Sequence, residues 1–186
     1  NGTAAMSGSD TGLTPLFTYK SGSVVYPRAV NTSAFKATFD AQLSGGTGGE
    51  GMTLALLSPA SKVTSVGTNG QGFGFAGLPG LAVVLGTAGQ VPGAPSANFV
   101  GISTGATNGV LSFAATAALP GSLRSGTHVV TVFLRSGTLT VSIDGSVVLT
   151  HAVSVPPTAL VAFTGSTRDV TDLHIVRDGA LSSVGW

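Results

Sequence analysis

The segment from His128 to Leu149 constrains the fold more than any other stretch of the chain. Val130, Val132 and Leu134 alternate with polar Thr131 and Arg135, and Leu139-Thr140-Val141-Ser142-Ile143 repeats the pattern. A period of two puts every second side chain on one face, which describes a half-buried strand and excludes an amphipathic helix. Asp144-Gly145 then leads into Ser146-Val147-Val148-Leu149. Asp-Gly between alternating runs is a strong hairpin signal, because a type I′ turn needs positive φ at both central residues. The segment is therefore an antiparallel meander.

The rest of the chain follows the same grammar. Ala34 to Leu43 alternates, with Phe35, Phe39 and Leu43 on one parity and Lys36 and Asp40 on the other. Leu13 to Leu16 and Ser23 to Pro27 read as short edge strands, and Leu160 to Thr164 and Leu173 to Val176 as late strands. Phe99 to Ile102 and Val110 to Phe113 continue the series. Met52 to Leu57 and Leu81 to Leu85 are near-continuous apolar runs, consistent with strands covered on both faces, and flanking Gly and Pro favour strand over buried helix. Helical spacing is nowhere sustained. No repeat of 20 to 50 residues appears, so a solenoid or propeller is not indicated. The class is all-β, an antiparallel β-sandwich of about a dozen strands, expected to form a single domain over residues 1–186.

Charged residues make up only 8% of the 186 and hydrophobic residues 42%, so solubility rests on Ser, Thr, Asn and Gly. No apolar run approaches the roughly 20 residues that cross a bilayer, so membrane insertion is not expected. The net charge is +1, and the eight Lys and Arg are scattered singly from Lys20 to Arg177. No basic stripe tracks a phosphate backbone, which makes nucleic acid a poor partner. The absence of cysteine removes disulfides, thiolate zinc sites and cysteine nucleophiles, yet leaves export open. The chain starts at Asn1 without a signal segment, which fits a domain excised from a longer protein.

Between the two apolar runs lies a long Gly-, Ser- and Thr-rich loop carrying Gly70-Gln71-Gly72-Phe73-Gly74-Phe75-Ala76-Gly77. Long irregular connections in compact domains are usually functional or disordered, which makes this loop the first candidate for the working end. It matches the dinucleotide-binding glycine pattern, but Leu78-Pro79-Gly80 cannot open the helix on which that pattern depends. His128, His151 and His174 lie far apart and read as strand-end or surface imidazoles rather than metal ligands. Arg168, Asp169 and Asp172 form a small polar cluster that reads as solvated turn residues, with a ligand-contacting loop as the alternative. Seven acids without a paired arrangement, and no Gly-x-Ser-x-Gly elbow, reveal no acid–base or acyl-transfer machinery, so no enzyme is expected.

Taken in order, these segments resemble the legume-type (L-type) lectin domain in its bacterial version, with its concanavalin-like jelly roll. Asn1 to Ala4 with Leu13-Thr14-Pro15 is similar to the family's opening, Gly22 to Tyr26 to its next strand, and Phe35 to Leu43 to the strand after that. Gly49-Glu50-Gly51 to Leu56 resembles its Asp-Gly-hydrophobic segment. Gly72 to Gly77 resembles its Gly-rich sugar loop, Leu81 to Thr87 its metal-bearing strand, Asn98 to Ile102 its Asn-His-Val-Gly-Ile segment, and Ile143-Asp144-Gly145 its late hairpin.

The resemblance implies a calcium and a transition metal beside the sugar, but the ligand set is dismantled here. Thr87 remains, while Val84 and Gly86 stand in place of two acids, Gln90 near the Asn, Ala94 or Pro95 near the Asp, and Phe99 at the His. Leu81 to Ile102 contains no carboxylate, whereas a hard cation takes about six oxygen ligands, so no metal or other cofactor is expected. By position in the family, Glu50 replaces the sugar-binding Asp, Gly72 or Gly74 supplies a backbone N–H, Asn98 matches the Asn, and Arg168 and Asp169 lie on the late loop. Phe73 would offer an apolar platform to a polyol. The implied function is a non-catalytic, metal-independent carbohydrate-binding module, secreted or at the cell surface, with a glycan or polysaccharide as partner. The alternative is a degenerate lectin fold serving as a structural or protein–protein interaction domain.

Overall fold

The structure is a computed structural model and describes residues 1–183. Thirteen strands run in order: β1 (Ala5–Ser7), β2 (Asp10–Thr14), β3 (Ser21–Asn31), β4 (Ala34–Ser44), β5 (Gly51–Leu57), β6 (Gly80–Gly86), β7 (Phe99–Thr107), β8 (Val110–Ala118), β9 (Thr127–Arg135), β10 (Thr138–Ile143), β11 (Ser146–Ala152), β12 (Thr158–Ser166) and β13 (Leu173–Ser183). The only helical element among the described residues is one 3₁₀ turn, Gly70–Gly72. All pairings are antiparallel and build two sheets, β1-β2-β13-β4-β9-β10-β11 and β3-β12-β5-β6-β7-β8. This is the all-β sandwich that the alternation requires. Strand β3 is an edge, as expected. Strand β2 is not, because β13 pairs with one side of it and β1 with the other.

The meander forms as the turn chemistry demands. Asp144 and Gly145 have φ of 51° and 81°, and Asn108-Gly109 (52° and 78°) and Ser136-Gly137 (49° and 75°) close the β7–β8 and β9–β10 hairpins in the same way. Val130, Val132, Leu134, Leu139 and Val141 point inward and are fully buried. They meet Met52, Leu54, Leu56, Leu81, Val83 and Leu85 from the facing sheet. Phe39 of β4 meets Phe163 of β12 edge-on, with centroids 4.8 Å apart, locking the sheets together.

Every residue of β5 is buried, and the reason is a third layer. Ala55, Leu57, Ala82, Val84 and Phe99 face away from the main core, into a second apolar cluster with Phe73, Phe75, Ala76, Val91, Leu160 and Ala162. The β5–β6 and β6–β7 connections thus fold back over the outer face of the six-stranded sheet. No helix among the described residues is long and apolar enough to cross a membrane.

Candidate functional site

A cavity of about 420 Å³ opens at one end of the six-stranded sheet, lined by Thr47, Gly48, Glu50, Gln71, Thr87 to Gln90, Ala97, Arg124 and Arg168 to Val170. Antiparallel order brings the start of β5 and the ends of β6 and β12 to this one place. Glu50 precedes β5, Thr87 follows β6, and Arg168 and Asp169 follow β12. Three of the residues expected at a ligand site, Glu50, Arg168 and Asp169, therefore converge.

Glu50 is the central group. It is only 5% exposed, yet its carboxylate has no hydrogen-bond partner among the described residues. Its backbone is fixed, since the Thr87 N–H donates to the Glu50 carbonyl at 3.0 Å and the Thr87 hydroxyl donates to the Gly49 carbonyl at 2.5 Å. Burial pushes the Glu50 carboxyl above the usual range; the Arg168 charge opposes this and the Asp169 charge adds to it. Arg168 pairs with Asp169 at 3.3 Å, both side chains being about half exposed or more. Asp169 also accepts from the Tyr19 hydroxyl, which raises the Tyr19 pKa. Across the cavity mouth, Gln71 Nε2 donates to the Gln90 carbonyl at 2.8 Å.

The remaining expected site residues have other positions. Phe73 was expected as a stacking platform, but its ring is fully buried in the second cluster. Its left-handed backbone (φ 53°) is held by its own N–H to Gly70 O at 2.9 Å and by the Thr164 hydroxyl donating to its carbonyl at 2.7 Å. Gly72 and Gly74 were expected to offer N–H groups, but these donate to Asn69 O and Thr68 O within the loop. Asn98 is likewise engaged. Its Nδ2 donates to Leu119 O and Gly121 O, and its Oδ1 accepts from the Leu123 N–H at 2.8 Å. Phe73, Phe75 and Ala76 of the glycine loop thus pack on apolar partners from β5 and β6, and the loop reaches the cavity through Gln71.

Two further expectations are corrected by burial. Asp172 is not a solvated turn acid: its side chain is fully buried and pairs with Arg124, Nε to Oδ2 at 2.8 Å and Nη2 to Oδ1 at 3.0 Å. His174 lies at the start of β13, as a strand-end imidazole would, but it is not at the surface. It is fully buried, its Nδ1 lies 2.6 Å from the Thr14 hydroxyl, its Nε2 has no partner, and burial lowers its pKa to about 4 against an opposing pull from Asp172. Arg124, Gln71, Thr87 and Gln90 were not anticipated as lining groups. Arg124 had one faint signal, a lone cation in the Gly/Ser-rich connection before β9.

A larger recess of about 550 Å³ opens between the sheets near β3 and β13, lined by side chains such as Val24, Tyr26, Val161, Phe163, Val176 and Leu181. Its Arg177 is engaged by Asp10 and Gln42, and its lining is largely apolar, without a second free polar side chain comparable to Glu50 among the described residues. The chemistry points to the Glu50 cavity.

The architecture is that of lectin sandwich domains. No family model matches the sequence, and no curated protein matches it. Among solved structures, the exoplasmic/lumenal domain of VIP36 in its Ca²⁺- and mannose-bound form is similar over 100% of this chain and 82% of its own, at 17% identity and a TM-score of 0.79. Lectin UEA-II complexed with galactose is similar over 97% and 90% of the two chains, at 18% identity and a TM-score of 0.77. The metal-free form of lectin I-B4 from Griffonia simplicifolia matches over 97% and 91%, at 19% identity and a TM-score of 0.74.

Calcium in one of these similar structures raises the question of fit. Among the described residues no three His, Cys, Asp or Glu lie close enough to share an ion. Around the cavity, Asp172 is bonded to Arg124, Asp169 to Tyr19 and Arg168, and the Thr87 hydroxyl to Gly49. Glu50 remains, and two guanidinium groups line the same wall. That donor set does not fit a dication that takes six to eight oxygens.

Proposed function

We propose that this protein is a non-catalytic glycan-binding module of lectin type, exported or displayed at a surface, that takes its sugar in the Glu50 cavity without a metal ion. The observation that carries the reading is the buried Glu50 carboxylate without a partner. The residue is shielded by its surroundings while its carboxylate borders the cavity, and a polar group withdrawn from bulk water without a partner is costly; a polyol supplies the hydroxyl donors it lacks. Arg168, Gln71 and the polar backbone of Thr87 to Gln90 border the same space, and a charge-assisted bond to a carboxylate orients a sugar strongly. Mannose and galactose in the similar folds agree in ligand class.

Asp169 is the second carboxylate in the cavity, and it is 64% exposed and engaged by Arg168 and Tyr19, which suits a binding rim better than a glycosidase pair. The test is a glycan array followed by calorimetry, with wild type and Glu50→Gln, and an assay for new reducing ends. Binding by wild type, its loss in a folded Glu50→Gln, and no reducing ends are expected. No glycan bound, or binding indifferent to the substitution, sinks the reading.

A further inference from the structure

We infer that Arg124 is the positioning residue of the cavity: an internal cation that, clamped on Asp172 and Gly46, holds the Gly45–Glu50 loop in the shape that buries the Glu50 side chain, the task an ion performs in metal-dependent sites. Its relevance to sugar rests on the function proposed above, but the clamp itself does not.

The loop needs an external anchor. Gly45-Gly46-Thr47-Gly48-Gly49 has almost no side chains with which to fix itself, and glycine-rich backbone carries the largest conformational entropy to be overcome. Its last two residues, Gly49 and Glu50, are tied to Thr87 after β6; the fixed points of Gly46 to Gly48 come from the β12–β13 connection and from Arg124. Gly46 N–H donates to Asp172 Oδ1 at 3.0 Å, and Gly46 O accepts from Arg124 Nη2 at 2.6 Å. Thr47 and Gly48 N–H both donate to Thr171 O, at 2.8 and 3.2 Å. The fit is tight enough that a Cβ on Gly46 would lie 1.9 Å from Thr171 O, and one on Gly49 2.7 Å from the Asp172 nitrogen.

Arg124 joins three connections at once. It stands on the β8–β9 connection, which Asn98 braces at Leu119, Gly121 and Leu123. Its planar fork takes both oxygens of a fully buried Asp172 and still reaches the Gly46 carbonyl, a geometry that a lysine ammonium does not reproduce. Since the Glu50 carboxylate has no bond of its own, its position is inherited from the backbone, which Thr87 ties at Gly49 and Glu50 and this clamp holds at Gly46. The charged groups facing Glu50 are Arg168 and Asp169.

Glu50 is the only glutamate in the chain, so selective ¹³C labelling gives a single carboxyl resonance to titrate by NMR. In wild type it should titrate above the ordinary glutamate range. In a folded Arg124→Gln it should return to that range as the loop opens to water, and any glycan bound by wild type should bind at least about tenfold more weakly. Neither EDTA nor millimolar calcium should move the wild-type thermal midpoint. Should Arg124→Gln not fold, the double variant Arg124→Gln/Asp172→Asn removes the unpaired buried charge and serves the same comparison. A folded variant in which Glu50 titrates as in wild type overturns the inference, because loss of a merely stabilising ion pair lowers the midpoint and leaves the titration in place. A calcium-dependent rise of the midpoint overturns it as well. If Glu50 shifts on loss of Arg124 while wild type binds no glycan, the clamp stands and the glycan reading falls.

Discussion

Replacing Glu50 by glutamine should stabilise the protein while abolishing binding, a combination that distinguishes a ligand-directed carboxylate from a structural one. The side chain is 5% exposed, accepts no hydrogen bond from the described residues, and has its pKa raised by burial. Glutamine keeps the volume and removes the charge. The neutral amide is still unpaired, but the penalty for a neutral unpaired group, about 1–3 kcal/mol, is smaller than that for a charged one. The attraction of Arg168 is weakened because that side chain is 47% exposed. The net gain is about 1 kcal/mol at pH 8, or about 2–4 °C in Tm for a chain of this size.

The pH dependence follows from the sign of the shift. A carboxyl whose folded-state pKa lies above its unfolded value of 4.5 destabilises the fold at pH above both values. That penalty is relieved as pH falls through the raised folded-state value toward 4.5. The advantage of glutamine should therefore be present at pH 8 and gone near pH 4.5, as measured by urea unfolding of both proteins at each pH. A variant less stable than wild type by 1 kcal/mol or more at pH 8 would mean that Glu50 has a stabilising partner, and would refute the reasoning.

His174 should make the fold acid-labile. Its folded-state pKa is lowered from 6.5 to about 4, so stability is full above 6.5 and falls as pH drops to about 4, by roughly 3 kcal/mol; a wild-type denaturant midpoint that stays constant from pH 7 to 4, or an equal acid loss in a folded variant lacking His174, would contradict this. Phe73→Ala should cost about 3–5 kcal/mol by calorimetry, the value for a core aromatic, whereas a ring on a binding surface would cost a small fraction of that. Asn98→Ala removes three hydrogen bonds to the connection that carries Arg124 and should cost about 2–3 kcal/mol at about 1 kcal/mol each, with faster amide exchange at Leu123 as the local readout. Gly145→Ala places a side chain at φ 81° and should cost about 1 kcal/mol in thermal unfolding.

The framework was legible because its determinants are local. Alternation in β4, β9 and β10, the Asp144-Gly145 turn and the apolar runs of β5 and β6 each announce themselves within ten residues. Asn108-Gly109 carries the same turn signal and could be read the same way. What was not legible depends on pairs far apart in the chain. Arg124 and Asp172 are 48 residues apart, and Thr14 and His174 are 160 apart; nothing near either end marks the partner. Phe73 misleads for the same reason. A phenylalanine between glycines suits an exposed platform and a plug equally well, and only the apolar outer face of β5 and β6 decides for the plug.

The scarcity of charge sharpens the case for the cavity. With seven acids in 186 residues, each can be followed individually. Asp10 pairs with Arg177, Asp144 with His128, Asp169 with Arg168 and Asp172 with Arg124. Asp40 and Asp178 lie within the field of Arg177. Glu50 alone is both buried and without a bonded partner, and it sits beside the one loop that the fold anchors with its most buried ion pair. A surface that relies on hydroxyls and amides for solubility offers few places where a carboxylate is shielded from water, so burial without pairing at Glu50 is a local departure from the pattern of the whole chain. Departures of that kind raise the energy of the free protein and are relieved when a ligand supplies the missing donors, which is the physical ground for proposing Glu50 as the ligand-binding group and Arg124 as a residue that positions it.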